Sequence, residues 1–178
     1  MAAFTSWCIR LDKYKLSVRQ IALFGVLGAM TFGAKVAMSF LPNIEPVSLM
    51  VMVYAVVFGR KCLYPIYLYV AMELLLYGLG TWNLMYLYIW AILAGAAWCL
   101  RDMKNPFGWA LLSGVFGLAF GILCAPVDFL LGDIGYVLAK WVSGIPFDLA
   151  HCTGNFVIAL VLFNPMRRLL ETLYQKIN

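Results

Sequence analysis

Asp148, His151 and Asn155 stand at i, i+3 and i+7, a spacing that places a carboxylate, an imidazole and a carboxamide on one helix face. Such a face can orient a polar ligand, and Asp148 with His151 is the one pair in the chain with the residue types of a general base. Other ionisable groups interrupt otherwise apolar stretches, namely Lys35, Glu73 and Asp128. Between the stretches lie Asn43, Glu45, Trp82, Asn83, Asp133, Lys140 and Trp141. Charge within an apolar span is costly, so each such group marks a candidate site. Tyr77, Trp82, Tyr86, Trp90, Tyr136 and Trp141 either form an interfacial anchoring belt or offer faces on which a planar ligand stacks. Two local alternatives stay open. Lys35 and Glu73 either contact ligand or pair with each other across two spans, and Asp148 either satisfies His151 or shares a ligand with it. A metal held by Asp148, His151 and Cys152 is disfavoured because adjacent residues diverge on a helix, and no metal or cofactor is expected.

The elements that must position these groups follow from composition. Of 178 residues, 65% are hydrophobic and 12% charged, against about 45–50% apolar and about 25% charged in a soluble domain. So few charges cannot cover the surface of a soluble fold, which makes this an integral membrane protein. Six spans of about 20 residues leave only short loops and tails, with no room for a soluble catalytic domain. Apolar runs and turn signals predict an all-α bundle of six spans at about 18–41, 47–58, 62–77, 84–100, 107–131 and 145–163. A segment 1–16 precedes the membrane domain 17–168, and a tail 169–178 follows it. The first segment is too short and too weakly apolar for a signal peptide and is expected to be retained. Gly132–Gly144 reads as a mixed loop, with room for a short interfacial helix, and Asn164-Pro165 as the start of a basic tail.

Alternating the sides puts Arg10, Lys13, Lys15, Arg19, Arg60, Lys61, Arg101, Lys104, Arg167, Arg168 and Lys176 together, while the opposite loops hold Lys140. The positive-inside rule then predicts both termini in the cytoplasm. The net charge of +5 is thus explained by orientation and by contact with anionic headgroups, without nucleic acid. On this topology Lys35, Glu73, Asp128, Asp148, His151 and Asn155 all fall in the outer half of the membrane, predicting an outward-facing cavity above an apolar plug. The five cysteines form no CxxC pair and are expected to be reduced.

On the first span Gly25, Ala29, Gly33 and Ala37 recur every four residues. This ridge lets another helix approach closely, either within the bundle or from a partner subunit. The chain has no G-x-x-x-x-G-K-[ST] phosphate loop, no HExxH and no GxSxG. It is not expected to be an enzyme; the weak exception is lipid modification by Asp148 and His151.

The six-span layout, the ridge and the segment Leu41-Pro42-Asn43-Ile44-Glu45-Pro46 resemble the substrate-binding S component of an energy-coupling factor (ECF) vitamin transporter, over about Ser17 to Arg168. In that family the ridge, usually alanine where Gly25 and Gly33 stand here, docks a transmembrane T component. The resemblance implies high-affinity capture of a vitamin or related micronutrient from outside, with two ATPase partners hydrolysing ATP. The S component then topples in the membrane and releases its ligand inside. It also implies a bacterial plasma membrane, and a cargo among corrinoid, queuosine-like or pyrimidine precursors. Lys35, Asn43, Glu45, Glu73, Trp82, Asn83, Tyr86, Asp128, Trp141, Asp148, His151 and Asn155 are the expected substrate contacts. The competing expectation is a small membrane scaffold of cell-envelope assembly, whose polar cluster satisfies itself and takes no ligand.

Overall fold

The structure, a computed structural model, describes residues 16–41 and 43–177. The N-terminal segment expected over 1–16 therefore lies almost wholly outside the described residues, as does Pro42 of the Pro-Asn turn. Among the described residues the fold is all-helical, and five helical stretches are long and apolar enough to cross a membrane: Val18–Ala37, Val47–Tyr77, Thr81–Cys99, Pro106–Asp128 and Ile134–Ile177.

Helix α1, Val18–Ala37, opens on a capping box in which Gln20 N–H donates to Ser17 Oγ at 3.2 Å and Ser17 N–H to Gln20 Oε1 at 3.3 Å. It stops at Met38, short of the Leu41 expected from hydropathy. Asn43 then turns the chain at φ 57°, a left-handed conformation that asparagine tolerates better than most residues. Helix α2, Val47–Phe58, is apolar all round and almost wholly buried, with Met52, Val53, Tyr54 and Ala55 fully enclosed. This explains its shortness: it lies inside protein, where no lipid thickness has to be matched.

At Gly59, φ 56°, the chain enters a single 3₁₀ turn, Gly59–Cys62, and reverses into α3, Leu63–Tyr77. The reversal is fixed by contacts at both ends. Phe58 packs at 5.1 Å from Phe24 near the start of α1, and Lys61 Nζ donates to Gln20 Oε1 at 3.1 Å. Glu73, at the far end of α3, instead meets Lys35 at the far end of α1. The Val47–Tyr77 stretch is therefore two antiparallel helices, with α3 parallel to α1. Gly28 makes that pairing close, since a Cβ there would stand 2.9 Å from Leu68.

Helix α4, Thr81–Cys99, runs from the Lys35 end, where Tyr86 lies, to the Gly59 end, where Trp98 lies. Asn105 caps α5, Pro106–Leu118, by accepting from Phe107 N–H at 3.0 Å, with Pro106 in the first turn where its missing N–H costs nothing. The expected continuous helix over 107–131 is interrupted at Ala119, and α6 covers Phe120–Asp128.

Helix α7, Ile134–Ile177, is the largest departure from the sequence reading. All of the expected 132–144 loop from Ile134 on, the 145–163 span and the tail after Asn164-Pro165 as far as Ile177 are one helix containing Pro146 and Pro165. Each proline removes one backbone hydrogen bond, at a cost of about 3 kcal/mol in an isolated helix. Packing beyond each proline offsets that cost. Asp148, His151 and Asn155 are buried past Pro146, and past Pro165 Tyr174 lies 4.9 Å from Phe58. The α5–α7 contact is the most extensive in the bundle. Trp109 stacks on Phe163 at 4.3 Å, and Gly117 lies where a Cβ would come within 2.9 Å of the His151–Cys152 backbone. Large apolar side chains such as Val26, Leu75, Leu111, Ile122 and Val161 cover the outside, an apolar exterior suited to lipid rather than water.

Candidate functional site

Two cavities of about 390 and 400 Å³ lie side by side at the Lys35 end of the bundle and share Asn43, Trp82 and Phe120 in their walls. Each is large enough for a small-molecule ligand.

The first is lined by Lys35, Glu45, Glu73, Asn83, Tyr86 and His151, with Tyr77, Gly80 and Trp90. Lys35 Nζ donates to Glu73 Oε2 at 2.7 Å and to Tyr86 Oη at 3.3 Å, and lies 5.0 Å from the centroid of the Tyr86 ring. Glu73 is 3% exposed, and its Oε1 has no hydrogen-bond partner. Glu45 lies in the segment between α1 and α2. Burial pushes its carboxyl up from the ordinary value, with Lys35 opposing and Glu73 adding to the rise. Tyr86 and Trp90 meet edge to face at 5.3 Å, and the His151 ring lies edge-on to Phe120 at 4.9 Å. Asn83 Nδ2 donates to Gly78 O, which ties the start of α4 to the α3–α4 turn.

The second cavity is lined by Asp128, Lys140, Trp141 and Asp148, together with Gly121, Cys124 and Phe147. Lys140 Nζ pairs with Asp128 Oδ1 and lies 5.8 Å from the Trp82 ring. The break between α5 and α6 matters here. Gly121, in the first turn of α6, donates its backbone N–H to Asp148 Oδ1 at 3.2 Å, and a Cβ at 121 would collide with Asp148 Oδ2. That oxygen is buried without a partner.

Of the expected substrate contacts, all line one cavity or the other except Asn155. Asn155 lies deeper, 1% exposed, where Nδ2 donates to Ser48 Oγ at 3.0 Å and to Ser113 O at 3.3 Å, tying α7 to α2 and α5. Asp148 and His151 do share a helix face, yet they open onto neighbouring cavities. Lys35 and Glu73 form the ion pair that was one of the two alternatives open for them, and both also line the first cavity. Phe120 and Gly121 carried no signal in the sequence: each is an ordinary member of an apolar run until the break at Ala119 turns it toward α7. Among the described residues no group of three or more His, Cys, Asp or Glu side chains is placed to hold a metal ion.

The ridge lies elsewhere. Ala29, Gly33 and Ala37 are exposed, and a Cβ added at Gly25 or Gly33 would meet nothing within 4 Å. The glycine that packs within the bundle is Gly28, on a different face of α1. Of the two uses open to the ridge, internal packing is therefore not the one it serves among the described residues. Comparison with protein-family models, curated proteins and solved structures gives no match to this chain.

Proposed function

We propose that this chain is the membrane-embedded substrate-binding subunit of an ECF-type importer, taking up a vitamin-like micronutrient. The observation that carries this reading is a pair of largely aromatic cavities bearing buried charged groups at one end of an apolar bundle, opposite the end where Arg60, Lys61, Arg101 and Lys104 gather. With the basic end in the cytoplasm, the cavities open outward. The helices then make six passes, α2 and α3 counting separately and α5 with α6 as one, so both termini are cytoplasmic.

Below the cavities, past the buried polar groups of Asn155, Ser48, Ser113 and Thr31, the core is apolar down to Phe24 and Phe58. That core supports a protein that captures a ligand and needs partners to release it inward. The unfilled ridge on α1 supports a T component as one partner, with two ATPase subunits supplying the energy. Cavities near 400 Å³ favour a cargo of one to three rings, a pyrimidine-like or queuosine-like precursor over a corrinoid. On this reading the chain is not itself an enzyme.

The scaffold reading draws on one observation, the Lys35–Glu73 and Lys140–Asp128 pairs, which satisfy much of the polar cluster internally. It leaves the two cavities and the partnerless oxygens of Glu73 and Asp148 without a role. A thermal-shift screen of the purified protein against B vitamins and modified nucleobases separates the readings. Stabilisation by one compound class is expected, and no shift by any compound on folded protein would return the scaffold reading.

A further inference from the structure

The two cavities repeat one charge pattern. The first holds Lys35 with Glu45 and Glu73, and the second Lys140 with Asp128 and Asp148. Each therefore has one carboxylate more than it has lysines, and each lysine is already engaged by a carboxylate. Each also has one buried carboxylate oxygen with no donor, Glu73 Oε1 and Asp148 Oδ2, on residues 3% and 6% exposed. A buried carboxylate oxygen is costly until something donates to it. At Asp148 the cost is built in: Gly121 holds Oδ1 with its backbone N–H, and only its lack of a Cβ leaves room for Oδ2.

The shared wall consists of Asn43 and two aromatic residues. Trp82 and Phe120 face both cavities, and Trp90, in the first, has a buried Nε1 donor without an acceptor. Aromatic faces take planar rings and attract cations. A ligand carrying a carboxylate or phosphate would bring negative charge into a wall that already has it in excess.

Resting on the reading of the chain as a substrate-binding subunit, we propose that its ligand is a positively charged nitrogen heterocycle with N–H donors at two ends. It lies against Trp82 and Phe120, one end donating to Glu73 Oε1 and the other to Asp148 Oδ2, and a ring acceptor accepts a hydrogen bond from Trp90 Nε1–H.

Calorimetry on the full chain in lipid nanodiscs tests this with benzamidine, its neutral analogue benzamide, its anionic analogue benzoate, and two benzamidines joined by a short alkyl chain. Benzamidine is expected to bind at least tenfold more tightly than benzamide, with no binding of benzoate. The linked compound is expected to gain a further tenfold or more. Asp148→Asn, which keeps an oxygen for Gly121 N–H, is expected to abolish the linked compound's gain. Asp102→Asn, exposed at the other end of the bundle, is expected to leave it unchanged. Glu73→Gln is expected to act like Asp148→Asn if it folds; the Asp148 variant decides the matter if it does not. Binding of benzamide or benzoate as tight as that of benzamidine overturns the charge assignment, and equal affinity of the single and linked amidines overturns the two-ended arrangement. Failure of all four compounds overturns the proposal, while the binding-subunit reading falls only with the broad micronutrient screen.

Discussion

Glu45 lies within the electrostatic reach of both Lys35 and Glu73, in the loop between α1 and α2. Because burial raises its carboxyl above the ordinary 4.5, the folded chain binds this proton more tightly than the unfolded chain does. Folding is therefore favoured by protonation here, and this contribution is lost as pH rises through the folded value. Glu45→Gln should accordingly have a higher Tm relative to the parent at about pH 8 than at about pH 5. An unchanged difference between the two pH values would show that the Glu45 charge is not buried in the folded state. The charged residues of the cavity walls were legible because charge is scarce in this chain: a lysine or carboxylate in an apolar run is visible without an alignment, whereas Cys124 and Phe147 were not singled out. Phe120 and Gly121 were not, because one more phenylalanine beside one more glycine carries no contrast.

Between helices, glycines divide into those that are filled and those that are open. Gly117 meets backbone atoms of α7, which cannot move aside as a side chain can, so Gly117→Ala should separate α5 from α7 and destabilise the fold by about 1–3 kcal/mol. Gly33 meets nothing, so Gly33→Ala should be neutral or stabilising by up to about 1 kcal/mol, through helix propensity alone. Unfolding of both variants in detergent measures the contrast, and equal losses would contradict this division of the glycines. At the same open ridge, Ala29→Trp should leave ligand binding within about twofold of the parent and abolish uptake when the partner subunits are present. Intact uptake would mean the ridge is not a docking face. The ridge itself could be read from its four-residue period. The extent of α7 could not, because Gly144-Ile145-Pro146 and Asn164-Pro165 carry the turn chemistry that usually ends helices, and only packing beyond each proline keeps the helix going.

For the whole molecule, the helix directions follow from contacts at each end, and the proposed reading assigns the sides of the membrane from charge. Single cysteines in a cysteine-free background test that orientation. Leu79→Cys, in the exposed α3–α4 turn, should react with a membrane-impermeant maleimide on intact cells. Asp102→Cys, beyond the end of α4, should react only after lysis. The reverse pattern would put the cavities on the cytoplasmic side and end the importer reading. The shortness of α2 was plain from its sequence, but its cause was not: hydropathy counts apolar residues and does not distinguish a helix buried in protein from one facing lipid.

Helix α7 has 44 residues, roughly 66 Å of contour at 1.5 Å per residue, against about 40–45 Å for a whole bilayer with its headgroups. A straight helix of that length is longer than the bilayer is thick. The same rod that carries Asp148 and His151 at the cavities carries Tyr174 into contact with Phe24 and Phe58 at the opposite end. One helix therefore takes part in the packing of both ends of the bundle.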